Sequence, residues 1–126
     1  MPLIRISLPA GKPAEHRHAI VHSVYDALRE TFNVPEGDLF ASIDECTPGN
    51  LLYDRHYFGI DRSDDFAIVQ LTVSSTRGVD QKKALYRRIV ERLAHAPGLR
   101  PQDVFIGVVE VARENWSFGN GEAQYV

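Results

Sequence analysis

Apolar positions follow two registers along this chain, and each register occurs twice. Leu3–Leu8 ("LIRISL") alternates apolar and polar side chains, the period of a strand with one buried face. Ile68–Val73 ("IVQLTV") is a second strand pattern, rich in β-branched residues. Apolar residues then recur every fourth position, at Ile20, Val24 and Leu28 and again at Leu85, Ile89 and Leu93. That spacing puts each set on one face of a helix. Pro13 suits the first turn of the first helix, where a missing N–H costs nothing. Thr76 is a candidate cap for the second. "NVPEGD" and "PGLRPQD" end the helices, and closing strands are predicted near Phe40–Asp44 and Val104–Val111.

The two strand–helix–strand units align without a gap from Leu3–Glu45 onto Ile68–Glu110, an offset of 65 residues. "LIRISL" falls on "IVQLTV", "AIVHSVYDAL" on "ALYRRIVERL" and "DLFASIDE" on "DVFIGVVE". Apolar positions coincide almost throughout. A β-α-β unit joins parallel strands by a crossover helix. Two such units predict an α+β domain over 1–126 with a four-stranded sheet and both helices on one face. The other sheet face then has nothing to cover it, so assembly of several copies is expected. The linker "TPGNLLYDRHYFGIDRSDD" leaves room for a short extra strand, and the Gly-rich tail suggests a hairpin around "GNG".

Composition narrows the function classes. The 126 residues carry a net charge of −3, and the pI is near 5.9, so nothing suggests nucleic acid or an anionic membrane surface. The N-terminus lacks the basic and apolar regions of a secretory signal, and no apolar run approaches a membrane span. The single cysteine, Cys46, excludes an internal disulfide. A cytoplasmic location is expected. His18 and His22 lie four apart on the first helix, with His16 nearby, but no third ligand at metal spacing is evident, so no metal site is expected.

Candidate chemistry begins at Pro2. Proline after an initiator methionine permits removal of Met1, and Pro2 then becomes a terminal secondary amine. An α-amino group titrates near roughly 7.7–8.0, and burial or a neighbouring cation lowers that value. Such an amine serves as a general base near neutral pH. The plain alternative is a proline that only starts an edge strand. The aligned position in the second unit is Ala67, so the fold itself does not demand proline there. Lys12 and Arg77 occupy matching positions in the turns leaving the first strand of each unit. A cation at a helix entrance opposes the helix dipole, which suggests a bound anion rather than helix stability. Arg77 can grip a carboxylate with two N–H groups; Lys12 cannot. Trp116 and Phe118 are candidates for an apolar pocket wall or for ordinary packing. Asp38 matches Asp103 in the second unit, which by itself favours a turn role for both.

Taken together, "MPLIRISLP", the doubled unit, "TRGVDQKK" and "WSFGNGEAQ" resemble the tautomerase superfamily, whose members use an amino-terminal proline. The resemblance spans essentially the whole chain. With "VPEGD" and "WSFG" it is most similar to the malonate semialdehyde decarboxylase branch. It implies a homotrimer without a cofactor. It also implies that Pro2 is the catalytic proline, that Asp38 handles protons or activates water, and that Arg77 binds the substrate carboxylate. Trp116 and Phe118 match that branch's hydrophobic wall. Lys12 falls where small tautomerases carry an arginine. The branch pattern has two arginines two positions apart, and the earlier one is Ser75 here. The dehalogenase branch's helix histidine and second loop arginine are replaced by Leu28 and Ser74, which argues against dehalogenation.

The reading is therefore keto–enol tautomerisation of a small oxo acid with neutral Pro2 as base. The alternative is decarboxylation or hydration of a 3-oxo acid with cationic Pro2 and Asp38. A second alternative, from another class, is a non-catalytic ferredoxin-like binding module.

Overall fold

A computed structural model describes residues 1–126. Each of the two aligned units folds as strand, helix, strand. The first comprises β1 (Pro2–Pro9), α1 (Ala14–Phe32) and β2 (Phe40–Cys46); the second comprises β3 (Ala67–Ser74), α2 (Val79–His95) and β4 (Val104–Val111). The strands form one sheet in the order β2-β1-β3-β4. Within each unit the strands are parallel, and β1 and β3 run antiparallel at the centre, with Pro2 opposite Val73. The units are thus related by an approximate twofold axis, and their equivalent residues lie at opposite ends of the sheet.

The alternation in β1 places Ile4, Ile6 and Leu8 under the helices, almost fully buried, with Leu3, Arg5 and Ser7 on the other face. The two four-residue stripes, Ile20/Val24/Leu28 and Leu85/Ile89/Leu93, are fully buried and join the same core as Val69 and Leu71. Both helices therefore cover one face. They are tied together by Glu30, which pairs with Arg88 and Arg92. On the other face Leu3 and Phe40 stay 45% and 50% exposed, and Phe105 and Val109 51% and 57%. This is the uncovered apolar face that the pattern predicts. No helix is long and apolar enough to cross a membrane.

Local details differ from expectation in three places. Thr76 does not cap α2: Gly78 holds the N-cap position, and no side chain caps the helix. The linker forms no extra strand. It makes a single 3₁₀ turn at Tyr57–Gly59, with Arg62 donating to the carbonyls of Asp54 and Tyr57. Tyr53 of the linker stacks on Phe66 with ring centres 4.1 Å apart, covering one corner of the open face. The tail forms no hairpin ladder. Gly119, Asn120 and Gly121 all have positive φ, and Gln124 closes the turn through the Phe118 N–H and the Gly119 carbonyl. A side chain thus supplies the bonds that a second strand would have made.

Candidate active site

The sheet end where β1 begins and β3 finishes gathers most of the candidate residues. The Met1 amino group forms an ion pair with the Asp38 carboxylate, and Met1 and Pro2 are both buried. Asp38 is held there by Tyr25, a buried residue of α1. The Tyr25 hydroxyl accepts from the Asp38 backbone N–H at 3.1 Å and donates to the Pro35 carbonyl at 2.7 Å. One phenol thereby fixes both ends of the loop that carries the carboxylate.

Asp103, the repeat partner of Asp38, is almost fully buried at the other end of the sheet. Its carboxylate accepts from the Ser63 backbone N–H and the Ser63 hydroxyl, both at 2.7 Å. In both units the carboxylate binds the chain just ahead of the first strand. In the second unit that partner is Ser63, through its backbone N–H and its hydroxyl; in the first it is the terminal amine.

Arg77 projects from the turn after β3. It donates to the Phe32 carbonyl at 2.6 Å and lies over the Phe32 ring, 4.8 Å from its centre. It satisfies one of the orphan carbonyls at the C-terminus of α1. Burial pushes its guanidinium below the usual arginine value, with the Tyr125 phenol acting in the opposite sense. It remains a cation, since an arginine stays charged even with such a shift.

Trp116 donates its indole N–H to the buried Ser74 hydroxyl at 3.2 Å and stacks on Phe118, with ring centres 5.8 Å apart and planes 11° apart. Phe118 meets Tyr125 edge-on at 5.0 Å. Burial raises the Tyr125 phenol above its ordinary value. The Asp38 charge adds to that, while Arg113 and Arg77 act against it. Tyr125 is thus a neutral hydrogen-bond donor at physiological pH.

Two cavities meet at Met1. One, of about 270 Å³, is lined by Met1, Val34, Pro35, Ser74, Thr76, Arg77, Arg113 and Tyr125. The second, of about 220 Å³, is walled by Pro2, Leu3, Phe40, Trp116, Ser117 and Phe118. Met1 lines both.

The structure brings Pro2, Asp38, Arg77, Trp116 and Phe118 to this end. Lys12 does not join them. It leaves the opposite end of β1, about 23 Å away over seven strand steps of about 3.3 Å, and pairs with Asp65 at 2.7 Å. The reason is the antiparallel β1–β3 pairing, which sends repeat-equivalent turns to opposite ends. Within one chain Lys12 is no ligand of the Pro2 site. Sequence reasoning missed Tyr25, Arg113 and Tyr125. Tyr25 aligns with Val90 in the second unit, and that break in the apolar match was a usable signal. Arg113 and Tyr125 lie beyond the repeat, where alignment of the halves says nothing.

Such a site can move a proton. It offers a buried terminal amine, a carboxylate, a fixed cation and an apolar wall. The family profile described as "Tautomerase enzyme" matches residues 38–119, and a second profile of the same description matches residues 2–60. The probable tautomerase YusQ of Bacillus subtilis (strain 168) is 35% identical over 126 residues, covering all of this chain and 99% of that protein. The probable tautomerase YrdN of the same organism is 28% identical over the same span, covering 97% of that protein. Among solved structures, FG41 malonate semialdehyde decarboxylase inhibited by 3-bromopropiolate superposes with a TM-score of 0.92 at 35% identity. That match covers 98% of this chain and 93% of the other. A fused 4-OT symmetric trimer shares the fold at a TM-score of 0.79 and 17% identity, over 98% of this chain and 97% of that one. With a profile over most of its length and a 35% identical relative spanning all of it, the chain belongs to the tautomerase family.

Proposed function

We propose that this chain is a cofactor-independent keto–enol tautomerase for a small oxo acid, with Pro2 as general base once Met1 is removed. The observation that carries this reading is the buried terminal amine, ion-paired with Asp38 where two cavities meet. Excision of Met1, which lines both cavities, leaves the Pro2 ring nitrogen as the terminal amine at the cavity walled by Trp116 and Phe118. The mostly apolar wall around Trp116 and Phe118 favours the neutral amine, and the Asp38 carboxylate favours the cation. Neutral Pro2 takes the proton α to the substrate carbonyl. Arg77 retains N–H groups beyond the one given to Phe32, and these bind the carboxylate or the developing enolate oxygen. Asp38 relays the proton back. The half-exposed apolar sheet face supports assembly into a homotrimer, as in the symmetric fused 4-OT trimer.

Decarboxylation or hydration of a 3-oxo acid is the second reading, favoured by the 35% identity to a malonate semialdehyde decarboxylase. There cationic Pro2 polarises the carbonyl and Asp38 activates water or assists loss of carbon dioxide. A pH–rate profile on protein whose intact mass shows Met1 removed separates the two. A proline base loses activity as pH falls through its pKa; a cationic proline loses it as pH rises. Full activity in protein that retains Met1 overturns both, because the Pro2 nitrogen is then an amide.

A further inference from the structure

We propose that Arg113, together with Arg77 and the Tyr125 hydroxyl, forms a second anion subsite beside Pro2 that selects short oxo dicarboxylates over oxo monocarboxylates. This inference rests on the tautomerase reading and names its substrate class.

The charge distribution is the first reason. Arg5, Arg17, Arg55, Arg88, Arg92 and Arg100 each have a carboxylate within 4.0 Å. Arg29, Arg62, Arg77, Arg87 and Arg113 have none, and of these five Arg77 and Arg113 line one cavity, whose wall contains no aspartate or glutamate. The neighbouring carboxylate, Asp38, is engaged by the terminal amine.

The topology explains the pairing. Strands β3 and β4 are parallel, with Ser74 opposite Val111, and the Ser75 N–H donates to the Val111 carbonyl at 2.9 Å. The chain therefore leaves both strands side by side. Arg77 stands three residues beyond Ser74, and Arg113 two beyond Val111.

Both guanidiniums are oriented by aromatic rings rather than by acids. Arg113 lies 5.2 Å over Tyr125, itself braced edge-on by Phe118, as Arg77 lies over Phe32. Ring contacts of this kind orient the cation without consuming its N–H groups. Arg113 donates no hydrogen bond within the chain, so its five donors face the cavity or solvent. A monoanion pairs with one guanidinium and leaves the other unmatched; a dianion pairs with both. Arg77 and Arg113 line one cavity from adjacent parallel strand ends, so a short dianion spans both guanidiniums.

The test compares the enol forms of oxaloacetate and of its 4-ethyl ester, which differ by one charge, in the wild type and Arg113→Gln. One charge-assisted hydrogen bond corresponds to about tenfold. The dianion-to-ester ratio of kcat/KM should fall about tenfold in Arg113→Gln, mainly through KM, and recover largely in Arg113→Lys. A ratio that changes less than twofold overturns the subsite, because a merely solvated surface charge gives no more. A second arm needs no turnover: succinate and its monomethyl ester are titrated against the emission of Trp116, the only tryptophan. Wild-type preference for succinate that Arg113→Gln abolishes supports the subsite, and equal affinities overturn it. If neither enol is converted but succinate binding still depends on Arg113, the tautomerase reading fails and the anion subsite stands.

Discussion

Tyr25→Phe isolates one hydroxyl. The ring keeps its burial and its contact with Arg29, whose guanidinium lies 6.0 Å from the ring centre, so almost no apolar area changes. What is lost is the donor to the Pro35 carbonyl at 2.7 Å and the acceptor for the Asp38 N–H at 3.1 Å. A typical intramolecular hydrogen bond contributes about 0.5–1.5 kcal/mol net, so the pair contributes about 1–3 kcal/mol. For a chain of this length that corresponds to a fall in Tm of about 4–12 °C. Thermal unfolding by circular dichroism, at fixed protein concentration because assembly raises apparent stability, reads it directly. The same change frees the loop carrying Asp38, so the proposed tautomerase rate should fall together with the Tm. A Tm within about 1 °C of wild type would refute the reasoning: the Pro35–Asp38 loop would then be held by contacts other than this phenol.

Other perturbations read other parts of the fold. Asp103→Ala strips the Ser63 N–H and hydroxyl of their acceptor in a buried spot. It should cost about 2–4 kcal/mol in urea unfolding, and a loss below about 0.5 kcal/mol would show that the linker is anchored elsewhere. Glu30 is held below the ordinary carboxylate value, first by its hydrogen bonds to Arg88 and Arg92. A carboxylate depressed on folding stabilises above its unfolded pKa, and that gain is lost as pH falls through the lower folded value. Glu30→Gln should therefore cost only about 0.3–1 kcal/mol at pH 7, because the site is exposed, and nothing at pH 2. A penalty that persists at pH 2 would exclude the ion pairs as its source. Leu85→Ala, at a fully buried position, should cost about 2–5 kcal/mol; a cost under about 1 kcal/mol would mean that the α2 stripe is not core.

Much of the fold was legible because burial imposes periodicity. Strands with one face under helices must alternate, and helices lying on a sheet must repeat every third or fourth residue. LIRISL and the two leucine–isoleucine stripes carry those constraints openly. The direction of the second unit was not legible. It is set by the linker and by β1–β3 pairing, which leave no local pattern, so the separation of Lys12 from Pro2 within one chain has no sequence signal. The tail was misread because Gln124, a side chain, closes a turn that Gly-rich composition alone suggests is a hairpin. Pro2, Asp38, Arg77, Trp116 and Phe118 were nameable because each departs from its repeat partner or belongs to a motif. Tyr25, Arg113 and Tyr125 reach the same place only through tertiary contacts.

The central claim is that the Pro2 nitrogen is the base. Its most direct test is the enol-to-keto conversion of phenylenolpyruvate by wild type and Pro2→Ala, both shown by intact mass to have lost Met1. Removal of a positioned general base costs about a hundredfold or more, and that loss in Pro2→Ala is the predicted result. Equal rates in the two proteins would remove Pro2 from the mechanism.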